Sequence, residues 1–179
     1  SSQPHDLVIG DNITVSGVSN TSKTLTVASG ATVTYAFDQT TTTIDGVDAT
    51  ASTNSVTINL DDGDKTTAND GVDMVTSFTI TDFKTATINV DADANNLNAN
   101  AYNDSAIAAL TASADNTNVT INAGSNGVTL SGTTTTGTGA LSINSDAAVG
   151  LGTAAITASA FTHTGSGAVT HTALNSTNL

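Results

Sequence analysis

The chain has no cysteine, so it forms no disulfide and holds no thiolate metal site. It has no arginine and only three lysines, Lys23, Lys65 and Lys84. The chain therefore has no Lys/Arg surface able to neutralise phosphates, which argues against nucleic-acid binding and against attraction to anionic lipid through a basic patch. There is no tryptophan and there are two tyrosines, which leaves little with which to stack sugar rings. No run of 18 apolar residues occurs, so no helical membrane insertion is expected. Residues 1–4, "SSQP", carry neither the charged nor the apolar region of a signal peptide. Glutamate is missing too, and with arginine, lysine, glutamine and methionine scarce the strong helix formers are nearly all gone.

What remains is 36 Thr, 18 Asn and 16 Asp among 179 residues. Thr is a β-branched strand former, while Asn, Asp, Gly and Ser form turns. The expected fold class is all-β, an elongated domain of short strands. The net charge is −13, all of it from aspartate. That favours divalent cations as partners and makes copies of the chain repel unless the charge is screened or bridged.

Period-two alternation of apolar and polar residues marks strands in "NITVSGV" (12–18), "KTLTVASGATVTYAF" (23–37), "NSVTINL" (54–60), "VTSFTITDF" (75–83) and "TATINV" (85–90). "ASGA" (28–31) between two such runs predicts a hairpin turn. "AYNDSAIAALTASAD" (101–115) breaks the alternation; a polar cap followed by "AIAAL" predicts one short helix near 105–113. Beyond it, "VTINAG", "VTLSG", "LSINS", "AITAS" and "VTHTA" are strand-sized, and Leu130, Ile143, Ile156 and Val169 lie thirteen apart. Equal spacing predicts a solenoid-like stack built from two such units per rung, with an antiparallel meander as the alternative. The organisation expected is a strand and hairpin region over 1–100, a helical connector over 101–115 and a solenoid-like repeat over 116–179, or one continuous domain.

"NLDDGDKTTANDGVDMV" (59–75) crowds Asp61, Asp62, Asp64, Asp70 and Asp73 around two glycines. Calcium takes six to eight oxygens from carboxylates, amides and carbonyls on a turn-forming chain, and this run supplies them. It is not an EF-hand, because the D-x-D-x-D-G spacing and the closing glutamate are absent. Asp91 and Asp93 in "DADANNLNAN" (91–100) alternate and form a second candidate for metal. The other reading of both runs is a solvated acidic or Asn-rich loop. Asp45, Asp48, Asp82, Asp104 and Asp115 stand singly in the sequence.

The passage "SVTINLDDGDKTTANDGVDMVTSFTITDFKTATINVDAD", followed by Thr/Asn/Ala/Gly-rich strands, resembles the large S-layer and RTX-type surface proteins of Gram-negative bacteria. The resemblance runs over roughly residues 54–160. It implies a secreted, extracellular, cell-surface structural protein that self-assembles into a lattice with calcium, and a surface polysaccharide as a further partner. The chain departs from that pattern in having no tandem GGxGxD repeat, only "DGxD" fragments, so it would be a lattice-forming β segment rather than an RTX calcium repeat.

No catalytic motif is present: no G-x-S-x-G, no HExxH and no phosphate-binding loop. His163 and His171 are eight apart and lack an evident third metal ligand, which reads as surface histidines. The expectation is a non-enzyme. The alternative from another class is an adhesin or carbohydrate-binding module on a β scaffold. An ice-binding face would need a regular T-x-T array, and the clusters "TVTY", "TTTT" (40–43), "TTTT" (133–136) and "THT" fall at irregular intervals.

Overall fold

The computed structural model describes residues 13–15, 23–36, 38–50, 52–61, 72–90, 105–125, 127–151 and 155–171. Among them the chain is all-β, with no helix. The strands in order are β1 (Ile13–Val15), β2 (Lys23–Val27), β3 (Thr32–Tyr35), β4 (Gln39–Gly46), β5 (Ser55–Leu60), β6 (Met74–Thr81), β7 (Thr85–Val90), β8 (Ser105–Ile107) and β9 (Leu110–Thr111). They continue as β10 (Asn118–Gly124), β11 (Val128–Leu130), β12 (Thr134–Thr135), β13 (Leu141–Ser145), β14 (Val149–Leu151), β15 (Ile156–Thr157), β16 (Phe161–Thr164) and β17 (Val169–His171).

Two sheets take up these strands. One is seven-stranded in the order β1-β3-β5-β7-β10-β13-β16; the other is ten-stranded, with β2-β4-β6 leading into a row of β8, β11, β14 and β17 and a row of β9, β12 and β15. Every pairing is parallel. Parallel neighbours need a long return path. Here the return path is the other sheet, because the chain leaves one sheet, crosses the second and comes back one strand further along. This excludes the antiparallel meander.

The alternation read from sequence becomes an inside and an outside. In the seven-stranded sheet Val33, Ile58, Ile88, Ile121 and Ile143 stand in one register column and are fully buried. A second inward column holds Val56, Ala86, Val119 and Leu141. The ten-stranded sheet answers with Ile44 beside Ile80 and with Phe78 beside Leu110, all of them buried in one core cluster with the first sheet. Stacking like on like lets each β-branched side chain pack on the one beneath it, the arrangement that parallel pleats favour.

Three expectations are corrected. "ASGA" is a corner between sheets and not a hairpin: β2 pairs with β4 while β3 pairs with β1 and β5. The Ala31 amide closes on Ala28 O at 3.2 Å, Gly30 has φ +85°, and its amide reaches Ser55 O in the next layer at 2.7 Å. The helix expected near 105–113 is replaced by β8 and β9. Ile107 aligns with Met74 and Leu110 with Phe78, while Ala108 N donates to Met74 O (2.8 Å) and Phe78 N to Ala109 O (2.7 Å). Two buried anchors and a ready ladder outweigh the helix propensity of "AIAAL". Finally, the thirteen-residue spacing is not the register. Leu130 pairs with Leu151, Ile143 with His163, Ile156 with Thr134 and Val169 with Val149; Leu130 and Val169 share a row but sit in different register columns, and the other two lie in other rows, so the four do not stack.

The corners are tight. A Cβ at Gly132 would strike the Ala108 carbonyl, and one at Gly139 would strike that of Thr117. Backbone crosses backbone so closely there that only glycine fits.

Candidate functional site

Of the proposed calcium ligands, Asp61 and Asp73 lie among the described residues; Asp62, Asp64, Asp70, Asp91 and Asp93 lie outside them, as does Asp104. Asp61 follows β5 and its amide donates to Tyr35 O at 3.0 Å. Asp73 precedes β6; its amide donates to Asp38 Oδ1 at 2.9 Å and its carbonyl accepts from Gln39 N at 2.8 Å. These bonds fasten both ends of the acidic run to the previous layer. No group of three or more His, Asp or Glu side chains able to hold a metal ion occurs among the described residues.

Four of the aspartates that stood singly in the sequence, Asp45, Asp48, Asp82 and Asp115, meet at one corner. Asp82 (φ +61°) turns the chain out of β6, and its amide donates to Asp115 Oδ2 at 2.6 Å. Thr81 Oγ1 donates to Asp45 Oδ1 at 2.7 Å one layer below. Loss of water around Asp82, followed by the carboxylates of Asp115, Asp45 and Asp48, pushes its carboxyl above the usual range. Buried Asn54 ties this corner together. Its Nδ2 donates to Asp48 O (3.1 Å) and to Asp82 O, and its Oδ1 accepts from Lys84 N (2.9 Å). Lys84 Nζ donates to the backbone carbonyl of Asp115 at 3.1 Å.

The outward faces of the sheets carry columns. On the seven-stranded sheet Thr32, Thr57, Thr87, Thr120, Ser142 and Thr162 align, one per strand from β3 to β16. Two residues along, Thr34, Asn59, Asn89, Asn122, Asn144 and Thr164 align. This second column is hydrogen-bonded from end to end. Asn59 Nδ2 donates to Thr34 Oγ1 (3.2 Å), Asn89 Nδ2 to Asn59 Oδ1 (2.9 Å), Asn122 Nδ2 to Asn89 Oδ1 (2.9 Å) and Asn144 Nδ2 to Asn122 Oδ1 (2.7 Å). Thr164 Oγ1 donates to Asn144 Oδ1. A stacked amide ladder of this kind adds side-chain bonds parallel to those of the backbone. The ten-stranded sheet shows one outward Thr column, Thr24, Thr43, Thr79, Thr111, Thr135 and Thr157.

The array of hydroxyls that looked irregular in the sequence is thus regular in space. Partners in the amide ladder are separated by 25, 30, 33, 22 and 20 residues, so turns of unequal length hide it. The signal that was legible is the repeated triplet "TIN" at 57–59, 87–89 and 120–122, with "SIN" at 142–144.

At the far end, Asn122, Asn144, Ser145, Asp146, Thr164 and Gly165 line an open groove beside the ladder. Asp146 Oδ1 accepts from Ser166 N at 3.0 Å there. His163 and His171 occupy the positions that Ile143 and Leu151 hold one layer earlier. His171 is exposed, whereas Nε2 of His163 is buried and has no hydrogen-bond partner. No family model, no curated protein and no solved structure matches this chain.

Proposed function

We propose that this chain is a β-solenoid segment of an extracellular structural protein that self-assembles into a cell-surface layer. The observation that carries the reading is the unbroken parallel pairing from β1 to β16, doubled on its outer side by the Asn/Thr ladder. Such a stack is a stiff rod whose contacts are mostly between neighbouring layers, a build suited to bearing load and presenting repeated surfaces. The calcium part of the proposal rests on the acidic run 61–73. Bridged carboxylates there would let chains of charge −13 approach one another.

The test is sedimentation and negative-stain electron microscopy of the purified chain at rising concentration, with millimolar calcium and then with a chelator. Particles or sheets that grow with calcium and dissolve on chelation are expected. A chain that stays monomeric throughout would overturn the reading.

A further inference from the structure

We propose that the outward face of the seven-stranded sheet is the surface on which a second copy of this chain docks, sheet face to sheet face. The inference rests on the self-assembly reading and names its contact. Charge carries the argument. The outward positions on β3, β5, β7, β10, β13 and β16 are Thr, Ser and Asn, apart from the backbone of Gly124, in a chain of net charge −13. The described aspartates lie off these strand positions: Asp38, Asp48, Asp73, Asp82 and Asp115 lie in turns, Asp45 is on the ten-stranded sheet, and Asp61 and Asp146 stand at the rim, just past the ends of β5 and β13. Two like charges brought close together repel, and more strongly near a protein surface than in bulk water. The centre of the neutral face is the approach that sets no described carboxylate against another, with Asp61 and Asp146 left at its rim. The outward Thr column of the other sheet lacks this property, because Asp45 stands beside Thr43 and near Asp82.

Chemistry and area agree with that choice. Each ladder Asn uses one amide N–H and its Oδ1 along the column, and its second N–H points off it. Threonine hydroxyls both donate and accept, so two such faces can pair without a fixed partner list. Six strands at about 4.8 Å, each about five residues long at about 3.3 Å, cover roughly 480 Å² per copy. Two faces bury about 950 Å², in the range of weak, transient interfaces. A single contact is therefore weak, and an array of many copies multiplies it.

The experiment uses the full chain in sedimentation equilibrium with millimolar calcium. Thr87→Lys with Thr120→Lys places two cations on the neutral face; Thr111→Lys with Thr135→Lys places them on the outward column of the other sheet. Both pairs lower the net negative charge, so general electrostatics makes both associate more readily. Docking through the neutral face instead makes the first pair associate at least about tenfold more weakly than the parent, through desolvation of unpaired ammonium groups, while the second does not weaken. Far-UV circular dichroism checks the fold; if the first pair is unfolded, Thr162→Lys on exposed β16 carries the same test with a smaller loss. A face variant that associates like its parent overturns the inference and leaves self-assembly standing. A parent that never associates removes the self-assembly reading itself. Retention of a monomeric parent on insoluble cellulose, abolished by the face lysines alone, would assign the face to a neutral glycan and also overturn the proposal.

Discussion

The two sheets are built from the same chain in alternation, yet they differ in regularity. The seven-stranded sheet runs through strands of four to seven residues from β3 to β13, with a continuous aliphatic column inside and a hydrogen-bonded ladder outside. Past β6 the ten-stranded sheet breaks into pieces of two or three residues, and its inner column places Thr42 and Thr134 beside Phe78, Leu110 and Ile156. The hydroxyls of both threonines are buried and have no hydrogen-bond partner. One sheet thus keeps the register for the other. The regular side fixes the step between layers, and the broken side absorbs corners of unequal length and the glycine crossings at Gly132 and Gly139.

The comparison breaks most visibly in the core. Ile121→Ala, at the centre of the aliphatic column, is expected to cost about 2–5 kcal/mol in urea unfolding, because the columns above and below hold the cavity open. Ile156→Ala, on two-residue β15, should cost less, since the end of that sheet can relax into the space. Equal losses would show that the two sheets are equally rigid. Next comes the ladder. Asn89→Ala removes the bonds to Asn59 and Asn122 and should cost about 1–2 kcal/mol. Thr111→Ala, at an outward position of the other sheet, should stay within about 0.5 kcal/mol.

The broken sheet should improve where the regular one cannot. Thr134→Val keeps the shape and deletes an unpartnered buried hydroxyl, so a gain of about 1 kcal/mol in the same unfolding assay is expected. A loss there would mean that the hydroxyl is hydrated in solution. The smallest effect is expected at the acidic corner. Asp82 has its folded-state carboxyl raised, so protonation favours the fold. That contribution is full below the unfolded carboxylate range and lost as pH rises through the folded value. Asp82→Asn should therefore raise the melting temperature slightly at neutral pH, and its advantage should fade in acid. Asparagine also accepts the left-handed φ at this position. An advantage that grows in acid would contradict the repulsion at this corner.

Strand positions were largely legible, because inside/outside alternation is a local property: β5 and β7 fall where "NSVTINL" and "TATINV" alternate. β4 was missed, since "QTTTT" offers no apolar contrast until Ile44. β8 and β9 were misread, because four alanines in 101–109 speak for a helix and only Met74 and Phe78, far back in the chain, speak for a strand. The acidic corner was invisible. Asp45, Asp82 and Asp115 are brought together by layer spacing, which no fixed period in the sequence reports.

Composition by itself determined that this chain is β-built and strongly acidic, with three lysines and no arginine. The period-two pattern determined which side chains face in. What only the tertiary structure decided is who stands above whom. Parallel pairing joins residues 19 to 36 apart through corners of variable length, and the choice among registers is made by core side chains packing and amides bonding across layers. That choice turns scattered triplets into one neutral ladder and scattered aspartates into one charged corner.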